Sequence, residues 1–181
     1  MSQTAPKPLW VFGYGSLIWN PGFPVAEQRL ARARGWRRSF CMWSIHHRGS
    51  ETEPGLVLAL DRAADACCDG VVFRVATGAE AETLAALRER ELVSSAYLEV
   101  TTEVETSAGV IHALAYVVDP GHVQYSGRLS LEDQARIILK ASGGRGPNRD
   151  YLWSTSTHLH SLGIADPELD WLAARVRDLA R

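Results

Sequence analysis

Leu9-Trp10-Val11-Phe12-Gly13-Tyr14-Gly15-Ser16-Leu17 is the stretch on which the reading of this chain turns. A short apolar run stops at a glycine, and a second glycine follows two residues later. That pattern reads as a buried strand entering a glycine-rich turn. Glycines let the backbone approach a ligand closely, and successive N–H groups in such a turn can cradle an anion. The same text also fits a tight turn with no ligand. Sharper motifs fail here. A nucleophile elbow needs glycines two residues either side of Ser16, where Tyr14 and Ile18 stand. A P-loop is absent, and a dinucleotide fingerprint would need glycine at Ile18.

Outward from that turn, residues 28–43 mix arginines with aromatic and aliphatic residues and read as strand. The polar 46–54 segment, with Gly49 and Pro54, reads as a loop. Residues 56–60 and 71–75 are compact β-rich runs, and the polar 65–70 segment between them predicts a hairpin. Thr77-Gly78-Ala79-Glu80 has the spacing of a capping box and opens a helix toward Glu91. Residues 97–105 and 110–118 form a second strand pair, turned at Ser107-Ala108-Gly109. The last third is helical, with caps expected at Ser130, Asn148 and Asp166, the last followed by Pro167. Leu169, Leu172, Val176 and Leu179 share one face of the final helix. Strands first, one internal helix, more strands and then helices give the α+β class.

Bulk properties narrow the function. A length of 181 residues suits one domain spanning 1–181, with residues 1–8 as a flexible extension ahead of it. A net charge of −2 gives no electrostatic case for nucleic acid or an anionic membrane as partner. No apolar run approaches the roughly 20 residues of a membrane helix, and residues 1–8 lack the apolar core of a signal peptide. Cys41, Cys67 and Cys68 are neither a disulfide framework nor a C-x-x-C metal pattern. A reducing cytoplasm is the expected compartment. The oligomeric state stays open, leaning to a monomer.

The expected helix 80–91 carries one misplaced charge. At about 100° per residue, Leu84 and Leu87 mark its apolar face, and Glu91 falls on that face while Glu89 points away. A carboxylate there is either buried, with a raised pKa useful for acid–base work, or escapes to water at a fraying helix end. Arg37-Arg38 and His46-His47-Arg48-Gly49 supply cationic groups for a small anion or simply a solvated surface. Adjacent histidines on a strand face opposite ways, so a shared metal site is not expected. Tyr151 and Tyr125 are each either core aromatics or hydrogen-bonding groups of a site.

In this order, Val11-Phe12-Gly13-Tyr14-Gly15-Ser16-Leu17-Ile18-Trp19, Arg37-Arg38-Ser39-Phe40, His47-Arg48-Gly49, Pro54-Gly55-Leu56-Val57-Leu58, Arg90-Glu91 with Tyr97, and Asn148-Arg149-Asp150-Tyr151-Leu152 resemble the ChaC family of glutathione-specific γ-glutamylcyclotransferases. The resemblance runs from Trp10 into the last helices. The opening segment with Trp19 is its most specific piece. Residues 1–8 lie outside the motif, and His46 departs from it. What it implies is a small mixed β-barrel flanked by helices, a lyase activity and no cofactor or metal. The substrate is a small molecule, glutathione or another γ-glutamyl peptide, closed to 5-oxoproline with release of Cys-Gly. The resemblance carries the catalytic role onto Glu91, since the family's glutamate follows an arginine and precedes a tyrosine. It carries γ-glutamyl binding onto Tyr14, Gly15, Ser16 and Leu17. Arg38, Arg48, Tyr125 and Tyr151 complete the expected binding set. Rival readings are an enzyme for γ-glutamylamines, a non-catalytic binding module, and a hydrolase using Ser16.

Overall fold

A computed structural model describes residues 7–181. The expected N-terminal extension therefore lies mostly outside the described residues. Five strands, β1 (Trp10–Gly13), β2 (Val25–Ser44), β3 (Gly55–Val75), β4 (Tyr97–Thr106) and β5 (Gly109–Val118), form a closed barrel in the order β1-β3-β2-β4-β5. All neighbouring pairs are antiparallel except β5, which runs parallel to β1 at Val11↔Leu114 and to β3 at Leu60↔Val117. The α+β class and the small mixed barrel are as expected.

The hairpin expected within residues 56–75 does not form. β3 is one strand of 21 residues, and its partner is the 20-residue β2, from Ser44↔Gly55 to Val25↔Val75. The turn of this long ribbon is the 45–54 loop. The polar break at 65–70 has another cause. Pairing jumps from Arg34↔Cys67 to Trp36↔Arg62, and Gly35 sits in the break at φ +80°. A glycine in the left-handed region at a bulge bends the ribbon. Its outer part meets solvent, which is why polar residues such as Asp65 and Asp69 occupy it.

Helix α1 (Glu80–Glu91) stands apart from the other three. Its Leu87 is buried in a cluster with Val11, Leu17, Val75 and Tyr116. Helices α2 (Leu131–Lys140), α3 (Asn148–Ser161) and α4 (Pro167–Leu179) pack on one another and, through α2 and α3, on β3. A two-strand hairpin, β6 (Ser142–Gly143) with β7 (Gly146–Pro147), joins α2 to α3. Among the described residues no helix is long and apolar enough to cross a membrane.

Two of the expected caps hold. Ser130 Oγ accepts from the Asp133 N–H, and an Asp166 carboxylate oxygen accepts from the Leu169 N–H. Two do not. The N-cap of α1 is Ala79, with no side-chain bond, and Glu80 accepts from the Gly78 N–H instead of completing a box with Thr77. Asn148 is the first residue of α3 and not its cap. Its fully buried side chain instead clamps β3, donating from Nδ2 to the Leu56 carbonyl at 2.8 Å and accepting from the Leu56 N–H at 2.8 Å.

Those two bonds make a prediction. Asn148→Ala leaves a buried N–H and C=O unpaired, each costing on the order of 1–3 kcal/mol. Urea denaturation is therefore expected to show a loss of about 3 kcal/mol, whereas Thr77→Ala, at a position that caps nothing, should stay within about 0.5 kcal/mol of the parent.

Candidate active site

The closed barrel still leaves one stretch of β3 without a strand on one side. Leu58 pairs with Phe40 of β2 on one side. On the other side no strand among the described residues reaches Leu56 or Leu58; β1 pairs farther along β3 and β5 touches it at Leu60. Buried backbone groups must find partners, and side chains supply them. Asn148 serves Leu56. Tyr97 Oη donates to the Leu58 carbonyl at 3.0 Å, and the Leu58 N–H donates to Tyr151 Oη at 3.4 Å. The gap left where a strand would lie is a recess of about 60 Å³, lined by Tyr14, Gly15, Ser16, Leu17, Leu58, Glu91, Tyr97, Tyr116 and Tyr151.

One wall is the glycine turn. Residues Ser16–Ile18 form a single 3₁₀ turn after β1, and the first N–H groups of such a turn have no partner within it. Gly15 borders the recess: a Cβ there would lie 3.8 Å from Tyr151 Oη. Tyr14 Oη donates to the Tyr116 carbonyl at 2.8 Å, which fixes the start of the turn against β5. Because Tyr151 accepts from Leu58, its own hydroxyl hydrogen is left for a ligand. Burial pushes the Tyr151 hydroxyl up to about 12 and those of Tyr14 and Tyr97 well above the usual phenol value, so all three stay protonated at neutral pH.

Opposite the turn stands Glu91. It lies one turn beyond Leu87 at the end of α1, with its side chain 19% exposed. Burial raises its carboxyl pKa, and the guanidinium of Arg90, with Nε 3.3 Å from Glu91 Oε1, partly offsets that rise. Arg90 also reaches across to the turn, donating to the Asn20 carbonyl at 2.9 Å and to Ser16 Oγ at 3.1 Å. It thus ties the end of α1 to the turn facing it. The serine hydroxyl takes its bond from a cation and not from a base, so nothing in its contacts activates it as a nucleophile.

Beyond Glu91 the recess widens into a cleft of about 440 Å³. Trp19, Met42, Trp43 and Val57 give it apolar surface, and His46, His47, Arg48 and Arg145 give it a cationic corner. Of the expected residues, Tyr14, Gly15, Ser16, Leu17, Glu91 and Tyr151 meet in the recess and Arg48 lines the cleft. Two expected residues lie elsewhere. Arg38 is buried behind the turn, donating to the Tyr14 carbonyl at 2.8 Å, to Asp166 at 3.0 Å and to the Asp69 carbonyl, so its guanidinium is spent on holding the turn. Tyr125 donates to Asp61 at 2.6 Å and bridges Met42, lining neither space. Sequence reasoning missed Tyr116 and Arg145 altogether, and Tyr97 and Arg90 as site residues. Tyr97 stood beside the glutamate in the motif, but nothing local says where its hydroxyl ends. Among the described residues no group of three or more His, Cys, Asp or Glu side chains has metal-binding geometry.

The model of the ChaC-like protein family matches residues 9–179. The chain belongs to that family. It is 37% identical over 179 residues to γ-glutamylcyclotransferase 2-3 of Arabidopsis thaliana, covering 94% of this chain and 89% of that protein. It is 33% identical to the glutathione-specific γ-glutamylcyclotransferase of Escherichia coli K12, covering 95% of this chain and 74% of that one. A crystal structure of a glutathione-specific γ-glutamyl cyclotransferase from yeast superposes with a TM-score of 0.84 at 22% identity, over 94% of this chain and 96% of that one, and so shares the fold.

The raised Glu91 pKa has a measurable consequence. A carboxyl whose folded pKa exceeds its unfolded value costs no stability at low pH, and stability falls as pH rises from the unfolded pKa through the folded one. Glu91→Gln should therefore raise the unfolding temperature at neutral pH and leave it unchanged near pH 3. Carbon-detected NMR titration should place the Glu91 carboxyl above ordinary glutamates, and Arg90→Met should move it higher again.

Proposed function

We propose that this chain is a glutathione-specific γ-glutamylcyclotransferase, with the recess holding the γ-glutamyl unit and Glu91 moving the protons. The observation that carries this reading is a lone, largely buried carboxylate that lines the same small recess as the Tyr14–Leu17 turn. The names of the relatives above support it, as does the match over nearly the whole chain.

In glutathione the α-amine and the γ-carbonyl belong to one residue. The Glu91 carboxylate takes a proton from the α-ammonium. The freed amine attacks the γ-carbonyl carbon, a C–N bond closes the five-membered ring, and negative charge gathers on the carbonyl oxygen. Backbone N–H groups of the Tyr14–Leu17 turn and the hydroxyl of Tyr151 are the donors that face it. The original amide C–N bond then breaks as protonated Glu91 gives its proton to the departing nitrogen, and the ring nitrogen, which still carries two hydrogens, passes its second proton through the same carboxylate to the freed amine of Cys-Gly. The products are 5-oxoproline and Cys-Gly, with no net proton change on Glu91 and no water consumed.

Each feature of the site has a place in this scheme. The nucleophile is internal, so Ser16 needs no base. The main demand on the protein is a folded-back glutamyl conformer, and holding such a conformer lowers barriers by several kcal/mol. A carboxyl pKa raised by burial brings Glu91 closer to the value that suits both taking and returning a proton near neutrality. Cys-Gly would extend from the recess into the wider cleft.

Incubation with glutathione followed by mass spectrometry should detect 5-oxoproline and Cys-Gly in equal amounts. Glu91→Gln, which keeps the shape and removes the proton carrier, should lower kcat by about 10²–10⁴-fold with little change in KM. Release of free glutamate, or near-parental turnover by the glutamine variant, would reject the scheme.

A further inference from the structure

The cationic corner of the outer cleft is built, and nothing in the reaction scheme uses it. The 45–54 loop and the β6–β7 hairpin come together there at a distance only glycine permits. A Cβ on Gly143 would lie 2.6 Å from the Gly49 nitrogen and 2.6 Å from the His46 carbonyl. The backbone locks them further: Gly144 N–H donates to the His46 carbonyl at 2.7 Å, and Arg145 N–H to the His47 carbonyl at 2.9 Å. This pairing sets Arg145 beside His47. Arg48 is fixed in the same corner, donating to the carbonyls of Arg145 at 2.8 Å and Pro147 at 3.2 Å, with its guanidinium 5.6 Å from the centre of the Tyr151 ring.

The corner is not electrically balanced by the protein. No ion pair among the described residues involves His46, His47, Arg48 or Arg145. Glu91 is the one acidic residue on the wall of the cleft. Burial lowers the His47 pKa, and the nearby Arg145, His46 and Arg48 lower it further. Like charges packed together without a counter-charge are unfavourable unless an anion completes them. Arg48 has spent donors on backbone carbonyls, so Arg145 is the guanidinium with bidentate capacity to spare.

We propose that this corner, with Arg145 as its principal donor, binds the terminal carboxylate of the peptide half of the substrate. It rests on the reading of the recess as the γ-glutamyl site, and it turns that reading into a substrate rule. Two extended residues span roughly 7 Å, so Cys-Gly leaving the recess along the cleft carries its carboxylate toward this wall. The site then selects γ-glutamyl peptides that end in a free carboxylate. It discriminates against γ-glutamylamines and against peptides whose C-terminus is blocked.

Glutathione and its C-terminal amide are the discriminating pair. The parent enzyme is expected to show kcat/KM at least about tenfold higher for the acid than for the amide, an effect of about 1.4 kcal/mol. Arg145→Ala should remove that preference by raising KM for glutathione while leaving turnover of the amide unchanged, and Arg145→Lys should restore part of it. Equal turnover of acid and amide by the parent, or equal loss of both in Arg145→Ala, overturns the proposal. Equilibrium binding to Glu91→Gln separates this idea from the cyclotransferase reading. If neither compound yields 5-oxoproline but the variant binds the acid more tightly than the amide, the corner stands and the reaction assignment falls. Equal binding of the two removes the corner.

Discussion

The backbone of β3 at Leu56 and Leu58 faces a place where the barrel has no strand. That vacancy governs the rest of the site. An unpaired edge inside a protein must be satisfied, and three side chains from distant parts of the chain do so. Asn148 closes both groups of Leu56, and Tyr97 and Tyr151 take the carbonyl and the N–H of Leu58. A strand in that position would have filled the space. Side chains meet the same hydrogen-bonding need while leaving a recess, and the tyrosines that satisfy the backbone also become its walls. Stability and cavity thus have one origin. The start of α3 is fixed by the same requirement, because Asn148 and Tyr151 both lie in its first turn.

The carboxylate depends on a second constraint. Leu87 packs with Leu17, Val11, Val75 and Tyr116, so α1 is held against the very turn that forms the opposite wall. One helical turn past a buried leucine, a side chain on the same face keeps only a small part of its surface in contact with water. Glu91 is therefore desolvated by the packing of its neighbour. Arg90, the adjacent residue, tempers this by lying against the carboxylate and bonding to Ser16 and Asn20. The acid and the amide turn are joined by packing below and by a guanidinium above. Arg38 does similar work from behind, fastening the Tyr14 carbonyl to Asp166 at the cap of α4.

What could be read in the sequence follows from how local each cause is. The apolar run into glycines placed β1 and its turn, the phase of α1 placed Glu91 on the Leu87 face, and Asp166-Pro167 placed the start of α4. Each of these signals is contained in a dozen residues. The β2–β3 ribbon was misread because a polar stretch at 65–70 looks the same in a turn and in a solvent-facing strand beside a bulge. The difference lies in Gly35, some thirty residues away in sequence and opposite in the ribbon. Asn148 has cap chemistry and a cap position, yet its partner is Leu56 on another element. Arg38 and Tyr125 carry groups suited to a ligand, but Tyr14, Asp166 and Asp61 claim them first. Arg145 stands among glycines with no local pattern to mark it, and only the β6–β7 hairpin brings it against the histidine loop.

The two halves of the cavity ask for different things, and their walls differ accordingly. In the proposed reaction, bond making and bond breaking occur at one carbon, and the two nitrogens concerned lie on the same tetrahedral centre. A proton taken from one need travel only the width of that centre to reach the other. A single carboxylate suffices if it is held still, and here Arg90 lies against it beside a small recess whose tyrosines are themselves fixed by hydrogen bonds. The departing peptide must leave after each turnover, which a tight enclosure would hinder. An open cleft with one charged corner gives recognition through a contact that solvent can rehydrate. In the proposed reaction a small recess where protons move and a larger cleft where product leaves are different demands, and the missing strand beside β3 lets one barrel meet both.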